Sequence, residues 1–291
     1  MVVVTFNGMP WIERCLESVR GHGTVLVDHG STDGTLELVR ERFTDVRLVE
    51  QENLGLAAGW NRGLRESGES RYVLILNSDA WVAADAVERL VAFADEHPDA
   101  AVVGPKLLNP NGTLQRSVRG FPTPWRLATE YFFLRKLAPR SQALNAFYAG
   151  GFEHDEVRDA EFLMGAAMLV RRAAIEEVGP LDEDFFLFSE ETDWHYRFRS
   201  AGWRVVFFPG AEVFHVGGAT HGGAFLNENL RGSLRFLAKH RSLAEAERAR
   251  RLLVLALRLR GLLFRGGRGQ MYRRAAAFLA SGSARKLLER P

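Results

Sequence analysis

Val25-Leu26-Val27-Asp28-His29-Gly30-Ser31-Thr32-Asp33-Gly34-Thr35 is the stretch on which the fold turns. A β-prone run ends in an acid, a tight turn follows, and Asp33 opens a helix with Ser31 available as its cap. The same strand–turn–helix unit recurs on both sides. Working outward, strands are predicted at 1–5, 24–28, 46–49, 72–77 and 101–104, with helices between them at 9–20, 33–43, 55–66 and 85–97. Such alternation specifies βαβ units and a mainly parallel mixed sheet flanked by helices, an α/β fold. Further strand character is expected at 162–170 and 204–214, with a helix at 190–201 ended by Gly202. Ligands of open α/β sheets bind beyond the carboxyl ends of strands. Asp28 falls at one such end and Asn77-Ser78-Asp79 at another. Glu190-Glu191-Thr192-Asp193 follows the apolar run Phe185-Phe186-Leu187-Phe188. Carboxylates beside buried strands cost several kcal/mol unless a cation or polar partner offsets them. A metal-held, phosphate-bearing substrate answers to that pattern.

Bulk properties narrow the class. The chain has 291 residues, 46% hydrophobic and 25% charged, ordinary values for a globular protein. One cysteine, Cys15, excludes an internal disulfide and a multi-cysteine zinc site. It shares its predicted helix with Trp11, Ile12, Leu16 and Val19, so it is expected in the core. Met1 runs directly into a strand, and no stretch reaches the roughly 18 apolar residues of a membrane span. A cytoplasmic, reducing location is the expectation. The net charge of +2 hides an asymmetry: residues 231–291 carry 16 Lys+Arg against 3 Asp+Glu, and residues 1–230 carry 22 against 33. A basic tail on an acidic body points to an anionic partner surface.

Each motif has two readings. Asp28 could accept hydrogen bonds from a nucleobase or ribose, or belong to an ordinary capped turn. Gly55, Gly59 and Gly63 each cost about 1 kcal/mol in a helix, and either a ligand or tight helix–sheet packing would explain them. Asp79 could ligate a divalent cation through the oxygen chemistry that Mg2+ and Mn2+ prefer, or cap a turn. The acids at 190–193 could include a base, or simply favour a helix N-terminus; Asp193 is assigned to the second role.

The ordered set of blocks resembles the family 2 glycosyltransferases. The blocks are Thr5-Phe6-Asn7-Gly8; Val27-Asp28 with Ser31, Asp33, Gly34 and Thr35; Asn53, Gly55, Ala58, Asn61 and Gly63; and Asn77-Ser78-Asp79. Gly104-Pro105-Lys106-Leu107, the run from Gly165-Ala166 to Arg171, Glu190-Glu191-Thr192-Asp193 and His215 continue them in order, so that the likeness covers about residues 1–240. The likeness is to the bacterial rhamnosyltransferase-type members that build cell-wall and surface polysaccharides. It implies a GT-A fold, inversion at the anomeric carbon and a divalent metal, Mg2+ or Mn2+. It also implies a dTDP- or UDP-sugar donor, with L-rhamnose from dTDP-rhamnose as the sugar, and a saccharide or polyprenyl-linked acceptor. Residue by residue, it assigns Thr5, Asn7, Asp28, Asn53, Gly55, Asn61, Asn77, Ser78 and Asp79 to the donor and Asp79 and His215 to the metal. Gly165, Ala166 and Glu190 go to the acceptor, and Glu191 becomes the general base. The chain departs from the pattern at His29, where the family has asparagine, and at Asn77, where the first acid of the metal triplet stands.

The likeness divides residues 1–224 into a nucleotide-sugar half at 1–104 and an acceptor half at 105–224, followed by a helical region at 225–291. Asn109-Pro110-Asn111-Gly112, Pro122 and Pro124 make 105–160 read as an excursion with a hairpin and mobile loops. From 225 the pattern is helical and basic, with a break expected at Gly266-Gly267. In residues 248–265 Arg251, Arg258 and Arg265 are expected on one face, opposite the leucine-rich face. That arrangement suits an anionic membrane surface. The competing reading is a helix packed on the domain or on a second copy of the chain. Nucleic acid is not expected, because interleaved aromatics are lacking. Two other functions compete with sugar transfer: nucleotidyl transfer on a related sheet, and a non-catalytic sugar-nucleotide sensor or membrane scaffold.

Overall fold

The structure is a computed structural model that describes residues 1–217 and 225–289. Val2–Thr5 forms β1, Val25–Asp28 β2, Arg47–Glu50 β3, Tyr72–Asn77 β4, Ala80–Val82 β5 and Ala100–Leu108 β6. Short strands follow at Leu114–Gln115 (β7), Val118–Arg119 (β8), Arg158–Asp159 (β9) and Phe162–Leu163 (β10). Ala167–Arg171 (β11) and the long Arg204–His215 (β12) complete them. Helices α1 to α4 lie at Ile12–Ser18, Thr35–Arg42, Leu56–Glu66 and Ala86–Glu96. Pro124–Tyr131 is α5, Gln142–Asn145 α6, Arg172–Val178 α7 and Glu190–Ser200 α8. Four more helices close the chain: Leu226–His240 (α9), Leu243–Leu263 (α10), Gly266–Ala280 (α11) and Ala284–Leu288 (α12).

Two compact units result. The first comprises Met1–Val118, Glu153–Phe186 and Glu190–Gly217 and holds the sheet, in the order β3-β2-β1-β4-β11-β6-β12-β5, with β7 on β6 and β9 on β12. β1 pairs in parallel with β2 and β4, and β12 with β6, whereas β11 runs antiparallel between β4 and β6. A mainly parallel sheet buries both faces, and β1 does so residue by residue. Val3 joins Leu26, Leu74 and Leu76 in the cluster packed on Ile12, Cys15 and Leu16 of α1. Val2 and Val4 point the other way, against α3. Each such fully buried side chain contributes about 1.5–3 kcal/mol. Cys15 is core, as expected, and burial followed by the Asp79 charge pushes its thiol pKa up.

The second unit takes Arg119–Phe152, Leu187–Ser189 and the described residues from 225 onward. Its core is Leu127 of α5 with Leu230, Leu234 and Leu237 of α9, Leu253 and Leu257 of α10, and Leu279 of α11. The α9 leucines fall at i, i+4 and i+7, one helical face. Ser242 caps α10 by accepting from the Glu245 N–H at 3.1 Å.

Three expectations are corrected. The excursion at 105–160 has the expected hairpin, β6 paired antiparallel with β7, but the rest is not a set of loops: it carries strands β8 and β9 and helices α5 and α6. The break in the tail falls at Phe264–Arg265, and Gly266 and Gly267 open α11 instead. A Cβ at Gly269 would lie 2.0 Å from the Phe264 carbonyl oxygen, so that turn closes onto a glycine. Finally, basic and leucine-rich faces of α10 are not opposed. Leu253 and Leu257 are buried, while Leu255, Leu259, Leu262 and Leu263 are exposed beside Arg251 and Arg258, and Arg265 lies past the helix end.

Candidate active site

Thr5, Asp28 and Asn77 end β1, β2 and β4, and the parallel pairing sets those ends side by side: Thr5 registers with Asp28, and Val4 with Asn77. Both side chains of the first pair are buried. Asp28 Oδ1 accepts from the Gly30 and Ser31 amides at 2.9 and 2.8 Å, which folds the turn. Its Oδ2 and the Thr5 hydroxyl are buried without a hydrogen-bond partner among the described residues. Buried polar atoms are nearly always paired, which sets these two apart from the other polar groups of the strand end.

The first turn is stitched to the second. Asn7 N–H donates to Ser31 Oγ at 2.8 Å, and Thr32 N–H to Asn7 Oδ1 at 2.8 Å. Gly8 N–H donates to Thr35 Oγ1 at 3.0 Å and Met9 N–H to Asp33 Oδ2 at 2.9 Å. Burial would raise the Asp33 carboxyl, but bonds from Thr35 and Met9 outweigh it and hold the pKa low. Ser31, Asp33 and Thr35 are thus the clasp that positions Thr5, Asn7 and Asp28. His29, the first departure, packs over α3: a Cβ at Gly59 would come 2.6 Å from its Nε2. Burial keeps the imidazole neutral despite the Asp28 charge and a hydrogen bond with Asn53.

The Asp79–His215 pair is made by strand pairing. β5 follows the Asn77-Ser78-Asp79 turn and runs antiparallel to the end of β12, with Ala80 opposite His215. His215 Nε2 therefore lies 3.3 Å from Asp79 Oδ1, and Asn77 Nδ2 3.5 Å from the same nitrogen. Gln115, on β7, sets the tautomer. Its Nε2 faces two oxygens, Asn109 Oδ1 at 3.1 Å and the His215 carbonyl at 3.4 Å. Its Oε1 is left to accept from His215 Nδ1 at 2.7 Å. The lone pair of Nε2 then faces a carboxylate oxygen, and two acceptors at that distance call for a cation or a proton between them. Burial would raise the Asp79 pKa, but where that proton sits on Nε2 the His215 hydrogen bond and charge, with the Asp79 and Gly217 amides, hold it low. Among the described residues no group of three or more His, Cys, Asp or Glu could hold a metal. Two ligands and substrate phosphates suit Mg2+ or Mn2+, which are bound through few protein groups.

β11 begins at the same edge, since Asn77 N–H donates to the Ala166 carbonyl at 2.9 Å. Gly165, next to it, is wedged: a Cβ there would sit 2.8 Å from Trp60 Cη2 and 3.6 Å from Glu191 Cβ. Glu191 opens α8 together with Glu190, and the chain enters that helix through Phe188 and Ser189 at φ of 68° and 72°. Left-handed non-glycine residues in succession are strained, and strain of this kind collects at functional sites. Glu190 is buried, with Oε2 unpaired among the described residues. Burial first, then the Glu191 charge, raises its pKa well above that of an ordinary glutamate. Asp193 is structural, paired with Arg197 at 2.9 Å. His195 is no rival base: burial pushes its pKa down to about 3.

Two residues expected at the donor are engaged within the chain. Asn61 clamps the 181–183 loop: Nδ2 donates to the Leu181 carbonyl and Glu183 Oε1, both at 2.9 Å, and Oδ1 accepts from Leu181 N–H at 3.0 Å. Gly55 is occupied by packing, since a Cβ would lie 2.5 Å from the Phe186 carbonyl oxygen. Asn53 is exposed and caps the turn into α3, its Oδ1 accepting from Gly55 N–H at 3.2 Å. Sequence reasoning missed Gln115 and Trp60, whose buried Nε1 has no partner among the described residues.

Comparison with known proteins bears on family and fold. The family model Glycosyl transferase family 2 matches residues 1–179. N-acetylglucosaminyl-diphospho-decaprenol L-rhamnosyltransferase of Mycobacterium tuberculosis is 32% identical over 231 residues, 74% of this chain and 75% of that protein. A mannosyltransferase of Pyrobaculum calidifontis, solved with GDP-Man and Mn2+, superposes with a TM-score of 0.57 at 19% identity over 99% of this chain and 77% of its own. GalNAc-T7, solved with UDP, GalNAc and Mn2+, gives 0.59 at 18% identity over 81% of this chain, which spans 47% of that one. The shared architecture is the GT-A fold.

Proposed function

The chain belongs to glycosyl transferase family 2, and on that premise we propose that it moves L-rhamnose from dTDP-rhamnose to a polyprenyl-linked saccharide, with inversion. The sugar and acceptor class are read from the rhamnosyltransferase it resembles, which acts on a decaprenol-linked sugar. The observation that carries the reading is the Asp79–His215 pair at 3.3 Å, on the same sheet edge as Asp28 and Gly165.

In this reading Asp28 Oδ2 and Thr5 Oγ1 accept and donate to the nucleoside. Asp79 and His215 would hold Mg2+ or Mn2+ against the diphosphate. When bound, the ion supplies Lewis-acid neutralisation of the charge that grows on the leaving group. Glu191, beside Gly165, takes the proton of the acceptor hydroxyl as the new bond forms, a task that needs contact within about 2.6–3.2 Å. Glu190, kept neutral by burial, leaves Glu191 free of a charged neighbour. Asn77, where the first acid of the metal triplet is replaced, contributes an amide toward His215 instead of a second charge.

The rivals fare worse. Nucleotidyl transfer wants a basic loop with free amides after β1, whereas the Asn7, Gly8 and Met9 amides are all engaged. A sensor or scaffold would have no use for Glu190 and Glu191 at the mouth of a strained turn. No helix among the described residues is long and apolar enough to cross a membrane, and the reading places the chain peripherally on the cytoplasmic face. The test is Glu191→Gln: transfer should fall by at least about 10³-fold while donor affinity stays within about twofold. Retained turnover rejects the base assignment.

A further inference from the structure

α10 shows two faces of different chemistry. Ala246, Ala249, Leu253, Ala256, Leu257, Arg260 and Gly261 are buried at spacings of three and four. Arg260 is an internal group, donating to the Tyr131 and Glu130 carbonyls and stacked 3.9 Å over Phe133. On the other side Arg248, Arg251, Leu255, Arg258, Leu259 and Leu262 form one stripe, again at spacings of three and four, and all are exposed. Leu255, Leu259 and Leu262 leave 53%, 43% and 80% of their surface to solvent, and Leu263 beside them 72%. Scattered exposed leucines need no explanation, but consecutive ones along a helix form a patch.

We propose that this stripe is a docking surface for a bilayer rich in anionic phospholipid. Charge complementarity selects that occupant. From Arg248 to Leu288 the chain has 11 Lys+Arg and no Asp or Glu. Arg251 shares Glu247 with Arg250, and no ion pair involves Arg248, Arg258 or Arg265 among the described residues. Leucines alternating with arginines suit an interface at which alkyl chains sink among acyl tails and guanidinium groups rise to phosphates. A second copy of this chain fits less well, because the charges on the stripe are all positive and pairing two stripes would bring like charges together. This goes beyond the transfer chemistry and does not depend on which sugar is moved.

The full chain is mixed with extruded vesicles of phosphatidylcholine, with and without phosphatidylglycerol, and sedimented. Binding should need phosphatidylglycerol and weaken as salt is raised. Leu255→Ser/Leu259→Ser/Leu262→Ser should lose at least about tenfold in vesicle affinity. Arg251→Gln/Arg258→Gln should lose about fivefold per charge. Both sets of side chains are exposed, and an unchanged circular dichroism melt certifies each fold. Equal binding to both vesicle types, or wild-type affinity in both variants, overturns the proposal. So does a dimer in light scattering that the triple variant dissociates, for then a second copy covers the stripe.

Discussion

At the scale of single residues, Gln115 is the group whose removal says most. It touches neither donor nor acceptor in the proposed scheme; it holds the His215 proton on Nδ1. Partners of this kind affect metal affinity by about 10–100-fold. Gln115→Leu should weaken Mn2+ binding to that extent by calorimetric titration with nucleoside diphosphate present, and Gln115→Asn, too short to reach, should behave alike. An unchanged Mn2+ affinity would falsify its positioning role. Glu190 is tested by pH. The folded chain holds its proton where an unfolded glutamate, titrating near about 4.3, has lost it. Folding takes up that proton, so stability falls as pH rises from the unfolded value through the raised one. Glu190→Gln abolishes the uptake, and its melting temperature should decline less steeply than wild type above about pH 5. Parallel curves would mean that Glu190 is ionised after all.

Helices and strands explain both what could be read from the sequence and what could not. Gly59 and Gly63 invite a ligand explanation in a bare sequence, yet packing accounts for both: a Cβ at Gly63 would lie 2.2 Å from Val2 Cγ1. Gly63→Ala gains about 1 kcal/mol of helix propensity but forces α3 off the central strand, and overpacking of a tight core costs about 1–3 kcal/mol. The expected sum is a loss, measured as a lower urea midpoint at unchanged slope. Periodicity made the βαβ half legible because each element there is long enough to repeat its pattern. β5 escaped because Ala80-Trp81-Val82 is three residues after a turn, too few for alternation to register. β5 is nonetheless what joins Asp79 to His215. Acids and histidine at strand ends announce themselves, since apolar neighbours make them conspicuous. Asn61 shows the opposite case, since an amide serving a loop and an amide serving a ligand look alike until partners are seen. Gln115 carried no signal beyond lying after the Asn109-Pro110-Asn111-Gly112 turn, which returns the chain along β6.

Across the whole molecule, binding reports on folding. A donor that engages the native state alone, at one hundred times its dissociation constant, stabilises it by about 2.7 kcal/mol, which for a chain of this size is roughly 5 °C in melting temperature. dTDP-rhamnose with Mn2+ should give that shift, and Asp79→Asn should erase the Mn2+-dependent part while leaving the nucleoside part. A Mn2+ effect that survives Asp79→Asn places the ion elsewhere. The ladder between β5 and β12 carries one more implication. Peptide geometry spaces Asp79 and His215, so stretches between them that carry neither Gln115 nor Glu191 can be rebuilt without moving the pair. Lineages that inherit this arrangement are free to explore new acceptors through the intervening segments, keeping one chemical engine while changing what it is applied to.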